Sequence, residues 1–108
     1  MARLATDLWV AAYRARLEAA GAAVYVVARG DPTAGAVLVK HAPMDGGATL
    51  WGRVADAEGE RRWAVLSEGA EEAVDAAIAR QRRHDPDLWV LEVEDRRGGP
   101  RLDEPGFA

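Results

Sequence analysis

Arginines at the ends of two helical patterns are the side chains of this sequence best placed to bind a ligand. Arg16 flanks the apolar stripe of the first pattern, and Arg80 and Arg83 close the second. A guanidinium at such a boundary buries its stem and pairs with a carboxylate or an anion. If the two helices lie side by side, a small anion-binding notch or enzyme site could form with the acids Asp85, Asp87 and Glu92. The interpretation that we favour is an internal salt-bridge lock.

Tryptophan and arginine also recur on two neighbouring predicted strands. Trp51 and Arg53 share one strand face, and Trp63 follows on the next strand. These two residue types are the commonest anchors of protein interfaces. If that face is uncovered, the three side chains form a contact patch for a partner. Ordinary core packing is the alternative.

A glycine pair resembles part of a phosphate-binding loop. The spacing within Gly30–Gly35 matches the opening of that motif, but Ala36 and Val37 stand where its lysine and hydroxyl residue would be. A strand is predicted to follow, where the motif requires a helix. We therefore predict no nucleotide site here.

Acid–base and metal chemistry have few candidate residues. Glu92 and Glu94 share a strand face, where carboxylates are commonly solvated or paired with arginine. His41 and His84 lie far apart and lack metal-ligand spacing. We predict no catalytic residue, no metal and no cofactor.

The composition is that of one ordinary globular domain. The 108 residues are 49% apolar and 30% charged, with a net charge of −4. The negative net charge argues against broad nucleic-acid binding, and RNA contact through arginine and tryptophan stays a weaker alternative. The chain has no cysteine, no signal peptide and no membrane-length apolar run, so we expect a cytoplasmic protein.

Periodicity predicts two helices and five strands. Helices are expected over 7–20 and 69–83, and strands over 23–29, 36–42, 48–55, 61–67 and 88–95. Short polar loops join the first four strands, which predicts an antiparallel meander. The order α-β-β-β-β-α-β then predicts an α+β fold with two layers, in which both helices cover one face of a five-stranded, mostly antiparallel sheet. Residues 1–95 form this single domain, and 96–108 form a partly ordered tail.

Residues 84–94 join the second helix to the last strand. Pro86 ends the helix, and Trp89, Leu91 and Val93 alternate on the face that should hold the helices to the sheet. Asp85 and Asp87 are expected to receive the arginines of the helix end. This segment is predicted to fasten the fold together.

Several stretches resemble the short alphaproteobacterial proteins grouped as domain-of-unknown-function family 1491. They are Leu8-Trp9-Val10 with Arg16 and Ala19-Ala20-Gly21, the strand from Gly35 to Lys40, Glu68-Gly69-Ala70, and Asp85-Pro86-Asp87-Leu88-Trp89-Val90-Leu91-Glu92-Val93-Glu94. The last stretch is the most specific. The resemblance implies a small, stand-alone bacterial cytoplasmic protein, and it brings no established activity, cofactor or catalytic residue.

From these patterns we predict a protein-interaction module that is not an enzyme. Its partner is a protein, and we expect it to form a homodimer through a sheet face or a free sheet edge. Trp51, Arg53 and Trp63 are its predicted contacts. The alternative from another class is a small-ligand or anion-binding protein, or an enzyme, that uses Arg16 with Arg80 or Arg83.

Overall fold

The computed structural model describes residues 4–108 and contains the predicted elements in the predicted order. The helices are α1 (Thr6–Ala19) and α2 (Glu71–His84). The strands are β1 (Ala23–Ala28), β2 (Val37–Ala42), β3 (Gly47–Ala55), β4 (Arg61–Ala70) and β5 (Trp89–Glu94). The α+β class and the mostly antiparallel five-stranded sheet are therefore confirmed.

The strands lie in the order β1-β5-β2-β3-β4, so the last strand of the chain lies inside the sheet. β5 is antiparallel to β1 and parallel to β2, with Val39 opposite Leu91. The β2-β3-β4 part is the predicted antiparallel meander. The meander does not extend to β1, because β5 separates β1 from β2.

The two helices lie on opposite faces of the sheet. Tyr13 and Leu17 of α1 share a buried cluster with Leu91 of β5, whereas Val74 of α2 shares a different cluster with Val90 of β5. Val90 and Leu91 point to opposite faces of the strand and are both completely buried. The prediction of two layers with both helices on one face was therefore wrong. A central strand that is apolar on both faces needs a covering layer on each side.

The loop between β1 and β2 holds the start of α1. Thr6 is the first helical residue, and its hydroxyl donates a hydrogen bond to the Gly35 carbonyl oxygen at 2.8 Å. The Thr6 backbone N–H donates to the Thr33 carbonyl oxygen at 3.1 Å. Trp9, Tyr13 and Leu17 follow at intervals of four residues, so they form one buried stripe against the sheet.

The segment 96–108 crosses the α1 face of the molecule. Leu102 is 5% exposed and belongs to the same buried cluster as Tyr13 and Leu17. Phe107 packs against that cluster from outside. The domain boundary at residue 95 and the partial order of the tail stay predictions from the sequence.

Candidate functional site

Trp51, Arg53 and Trp63 lie on one face of the β3–β4 hairpin. Arg53 is directly opposite Trp63 in the antiparallel register, and Trp51 is opposite Val65. The Arg53 guanidinium lies 4.6 Å from the centroid of the Trp63 ring and 5.2 Å from that of Trp9. At these distances the cation is attracted to the faces of both indole rings. The structure thus brings the three predicted residues together and adds Trp9 to them.

The carbonyl group of Phe107 closes this group from the C-terminal side. Its oxygen accepts hydrogen bonds from Trp63 Nε1 at 2.6 Å and from Arg53 Nη2 at 3.0 Å. The Phe107 ring lies edge-on to the rings of Trp9 and Tyr13, with centroid distances of 5.8 and 5.3 Å. We call Trp9, Tyr13, Arg53, Trp63 and Phe107 the aromatic cluster. Its geometry fixes the position of the Trp63 indole.

Two polar contacts hold the C-terminal segment against α1. The Tyr13 hydroxyl donates to the Pro100 carbonyl oxygen at 2.6 Å, and burial, reinforced by the Glu104 carboxylate, raises the pKa of Tyr13. Arg16 binds both oxygens of Glu104, at 2.8 and 3.0 Å, and Arg101 approaches the same carboxylate at 3.3 Å. Arg16 is therefore part of a salt-bridge lock whose carboxylate comes from the C-terminal segment.

A groove opens between the β3–β4 hairpin and the segment 98–103. Its volume is about 1030 Å³, and Trp51 and Trp63 form its apolar wall. We call it the hairpin groove. The other lining residues are Glu60, Arg61, Arg62, Gly98, Gly99, Pro100, Arg101, Leu102, Asp103 and Ala108.

Two arginines at the hairpin end of this groove, Arg61 and Arg62, have different hydrogen-bond partners. Arg62 is exposed and pairs with Asp56 at 2.6 Å, and this hydrogen bond contributes most to the lowered pKa of Asp56. Arg61 is also exposed, and it donates to the backbone oxygen of Arg53 at 3.1 Å. The groove therefore places two half-buried indole rings beside guanidinium groups that are exposed to solvent.

A buried lysine lies on the other face of the sheet, under α2. Lys40 is 4% exposed, and its ammonium group lies 2.7 Å from Glu71, 2.8 Å from Asp75 and 3.2 Å from Glu92. Burial acts to lower the pKa of Lys40, but its bonds to the three carboxylates outweigh that effect and raise it. Burial is the largest cause of a raised pKa at Glu92, where Lys40 acts to lower the pKa and Glu94 acts to raise it. We call Lys40 and its three carboxylates the lysine network.

Sequence reasoning missed Lys40 as the centre of this network. The available signal was that the single lysine of the chain follows Val37-Leu38-Val39 on a core strand. A charge within such a strand needs partners on the covering layer, and α2 supplies two of them.

Arg83 lies in a notch at the C-terminal end of α2. Arg29, Arg82 and Asp85 line the same notch, whose volume is about 440 Å³. Among residues 4–108, neither Arg82 nor Arg83 takes part in an ion pair. Asp85 instead accepts the backbone N–H of Asp87 at 3.0 Å. The expected pairing of Asp85 and Asp87 with the arginines of the helix end is not formed.

The predicted ligand residues are divided between the two faces. Arg16 lies with α1 and Glu104 on one face, whereas Arg83 lies with α2 on the other. Glu92 belongs to the lysine network on the α2 face. The sheet therefore separates Arg16 from Arg83 and Glu92, and the composite notch of the sequence hypothesis is not assembled.

Asp87 acts through its backbone carbonyl group. The Asp87 oxygen accepts the backbone N–H of Asp31 at 3.0 Å, and Trp89 Nε1 donates to the Asp31 carbonyl oxygen at 2.8 Å. A side chain at Gly30 or Gly35 would overlap the Asp87 oxygen. The two glycines that resembled a phosphate loop are thus required for close packing of backbone on backbone.

Within the part of the chain that the structure describes, no group of three or more histidine, aspartate or glutamate side chains is arranged to hold a metal ion. His41 Nε2 lies 2.9 Å from the carbonyl oxygen of Gly98, which links β2 to the C-terminal segment. In those same residues, neither helix has the length and apolar character needed to cross a membrane.

The fold and these surfaces define a small α+β protein with a mixed sheet, one helix on each face and the hairpin groove on the α1 side. The chain belongs to DUF1491, a family of proteins of unknown function, whose model matches residues 4–103. The resemblance noted in the sequence is therefore confirmed.

Solved structures of this family share the fold. The crystal structure of a DUF1491 protein from Caulobacter crescentus is 44% identical, with a TM-score of 0.85 over 95% of this chain and 98% of that one. An NMR structure from the same organism is 43% identical, with a TM-score of 0.85 over 97% of each chain. An Agrobacterium tumefaciens protein solved in solution is 31% identical, with a TM-score of 0.76 over 92% of each chain. A comparison with curated proteins gave no match.

Proposed function

We propose that this protein is a non-enzymatic interaction module that binds an extended segment of a partner protein in the hairpin groove. The observation that carries the proposal is the pair of half-buried indoles, Trp51 and Trp63, in the wall of an open groove of about 1030 Å³. Rigid aromatic side chains in a concave surface are the usual anchors of binding energy. Trp63 is held in place by Phe107 before a partner arrives, which lowers the entropic cost of binding.

The lining favours a segment that carries apolar side chains and a carboxylate. Trp51 and Trp63 supply the apolar wall, and the exposed Arg61, which has no ion pair among the described residues, is the lining cation that can meet a carboxylate. An extended acidic and apolar segment satisfies both features.

The geometry supports the alternative functions less well. A ligand site that combines Arg16 with Arg80 or Arg83 needs both helices on one face, and they lie on opposite faces. RNA contact needs an open sheet face for base stacking, and the C-terminal segment crosses this face, where the Phe107 carbonyl oxygen accepts from Arg53 and Trp63. A cytoplasmic location stays a prediction from the sequence.

Site-specific photo-crosslinking in the native cell tests the proposal. A photoreactive amino acid placed at Arg61, in the groove, is expected to capture one partner in good yield. The matched control places it at Arg80, which is also exposed but lies on α2. Capture from Arg61 and not from Arg80 is the expected result.

A groove variant shows whether the capture depends on the anchors. Adding Trp51→Ala to the Arg61 probe should remove most of the crosslink while the melting transition stays cooperative. Equal capture from both positions, or capture that Trp51→Ala leaves unchanged, would contradict the groove as the binding surface.

A further inference from the structure

The tryptophan wall of the hairpin groove consists of side chains that project from a sheet face. Trp51 and Trp63 lie on the same face of the β3–β4 hairpin, because Trp51 is opposite Val65 and Trp63 is opposite Arg53. The backbone N–H and C=O groups of the two strands point along the sheet and not out of this face. A segment that lies on the two indole rings therefore does not pair with strand backbone there.

The carbonyl oxygens of Gly98 and Pro100, on the opposite wall of the groove, already have partners. The Gly98 oxygen lies 2.9 Å from His41 Nε2, and the Pro100 oxygen accepts from the Tyr13 hydroxyl at 2.6 Å. Both residues line the groove. A bound segment therefore gains little by offering backbone N–H groups to this wall.

Trp51 contributes an open hydrogen-bond donor. Trp63 Nε1 is already occupied, since it donates to the Phe107 carbonyl oxygen at 2.6 Å. Trp51 Nε1 has no hydrogen-bond partner within residues 4–108 and, unlike Trp9 Nε1, which is buried without a partner, it is open to solvent. A ligand that covers Trp51 must supply an acceptor, because an N–H group that is buried without one is costly.

Among the regular backbone conformations, polyproline II meets these conditions best. A helix uses its own carbonyl groups internally, and a β-strand offers as many N–H groups as carbonyl groups. Polyproline II has no internal hydrogen bonds, so its carbonyl oxygens are free, and each proline removes one N–H group. The exposed carboxylates Glu60 and Asp103 in the lining can accept from the residues that are not proline.

The spacing of the two indole rings also suits this conformation. Trp51 and Trp63 are diagonal neighbours across the hairpin, a relation in which the backbones are about 7–8 Å apart. Polyproline II has three residues per turn, so every third residue returns to the same side about 9 Å further along. Long aromatic side chains reach over such a difference. Two prolines that are three positions apart can thus pack on the two rings.

We infer that the segment bound in the hairpin groove is rich in proline and adopts the polyproline II conformation. Two of its prolines pack on Trp51 and Trp63, and one of its carbonyl oxygens accepts a hydrogen bond from Trp51 Nε1. The inference rests on the proposed function and specifies the ligand of that site. Aromatic grooves recognise such segments in other domains because the preformed helix loses little conformational entropy when it binds.

An NMR titration of the full chain with an acetylated oligoproline peptide that ends in aspartate tests the inference. The expected result is a saturating shift of the Trp51 side-chain N–H signal. The matched control is the mirror-image peptide made of D-residues, which has the same composition and the opposite helical hand. It should bind about tenfold more weakly, because its carbonyl groups are not placed to accept from Trp51 Nε1.

A conservative variant tests the hydrogen bond. Trp51→Phe keeps an aromatic ring and removes the N–H donor, so it should weaken binding of the L-peptide roughly fivefold. Val65→Ala, opposite Trp51 and outside the groove lining, should leave the affinity unchanged. Three results would each overturn the inference: no saturating shift with the L-peptide, equal binding of the two peptides, or an unchanged affinity for Trp51→Phe.

Failure of this inference is distinguishable from failure of the proposed function. If capture from Arg61 depends on Trp51 but the oligoproline peptide does not bind, the groove binds a partner and only the polyproline II ligand is wrong. If capture is equal from Arg61 and Arg80, both proposals fail.

Discussion

At the scale of single residues, the lysine network shows how one buried cation is stabilised. Lys40 is almost fully buried, while Glu71 and Asp75 are 42% and 55% exposed at the side chain. The carboxylates thus keep part of their hydration, and the ammonium group depends on them. A buried charge with good partners costs little, but removal of one partner leaves the rest uncompensated.

Lys40→Met is therefore expected to lower the free energy of unfolding by about 2 kcal/mol, because three carboxylates lose their common cation. Urea unfolding measures the loss. Adding Glu92→Gln should recover part of it by removing one of the repelling charges. An unchanged unfolding midpoint for Lys40→Met would show that the network adds nothing to stability.

The contact between Arg16 and Glu104 should respond to acid. Burial acts to raise the pKa of Glu104, but the hydrogen bonds from Arg16 and Arg101 outweigh it and lower the pKa below its ordinary value of 4.5. A lowered folded-state pKa means that the contact stabilises the protein above the ordinary value and loses that effect as the pH falls through the folded-state pKa.

Thermal melts of Glu104→Gln should therefore lie below those of the wild type at neutral pH. The difference should disappear well below pH 4.5. A difference that persists in acid would show that the effect of the substitution does not come from the ion pair.

At the scale of elements, the loop from Gly30 to Gly35 and the backbone at Asp87 fit against each other without room for a side chain. A Cβ at Gly35 would lie 2.5 Å from the Asp87 oxygen and 2.8 Å from the Asp31 oxygen. Neither backbone oxygen can move without breaking a neighbouring contact.

Gly35→Ala should destabilise the protein by about 3 kcal/mol, as overpacking against backbone does. Gly99→Ala is the control, because a Cβ there meets nothing within 4 Å. Chemical denaturation compares the two variants. Equal stability of the two would mean that the loop can move away from Asp87.

The elements could be predicted from the sequence because their signals are local. The stripe of Trp9, Tyr13 and Leu17 marks α1, and Pro86 marks the end of the second helical pattern. The position of β5 between β1 and β2 could not be predicted, since strand order depends on contacts between distant parts of the chain. The continuous run Leu88-Trp89-Val90-Leu91 did carry a signal for a strand buried on both faces.

Part of the candidate site could also be predicted, because some of its residues are brought together by local structure. Trp51, Arg53 and Trp63 could be grouped because hairpin pairing follows from a short turn. The roles of Phe107 and Glu104 depend on a C-terminal segment that has no regular pattern. Arg16 was expected to lock to Asp85, Asp87, Glu92 or Glu94, but its partner is Glu104.

At the scale of the whole molecule, the C-terminal segment connects α1 to the sheet. It contacts α1 through Tyr13 and Arg16, the hairpin through Arg53, and the buried cluster through Leu102. Its position also forms one side of the hairpin groove. Stability and the proposed function therefore depend on the same segment.

Leu102→Ala should lower the free energy of unfolding by about 3 kcal/mol, because it empties a buried site. Asp103→Ala, at the exposed neighbouring position, should change it little. Urea titrations of both variants give the comparison. An unchanged stability for Leu102→Ala would indicate that residues 1–95 fold without the segment.

If the hairpin groove binds a partner segment through its tryptophans, as we propose, that segment should change the surroundings of the two indole rings. The most direct measurement is the NMR signal of each tryptophan side-chain N–H during titration with a peptide copied from the segment crosslinked at Arg61. We expect shifts for Trp51 and Trp63 and none for Trp89, which is buried on the α1 side of β5. Shifts that are absent at Trp51 and Trp63, or that are equally large at Trp89, would contradict it.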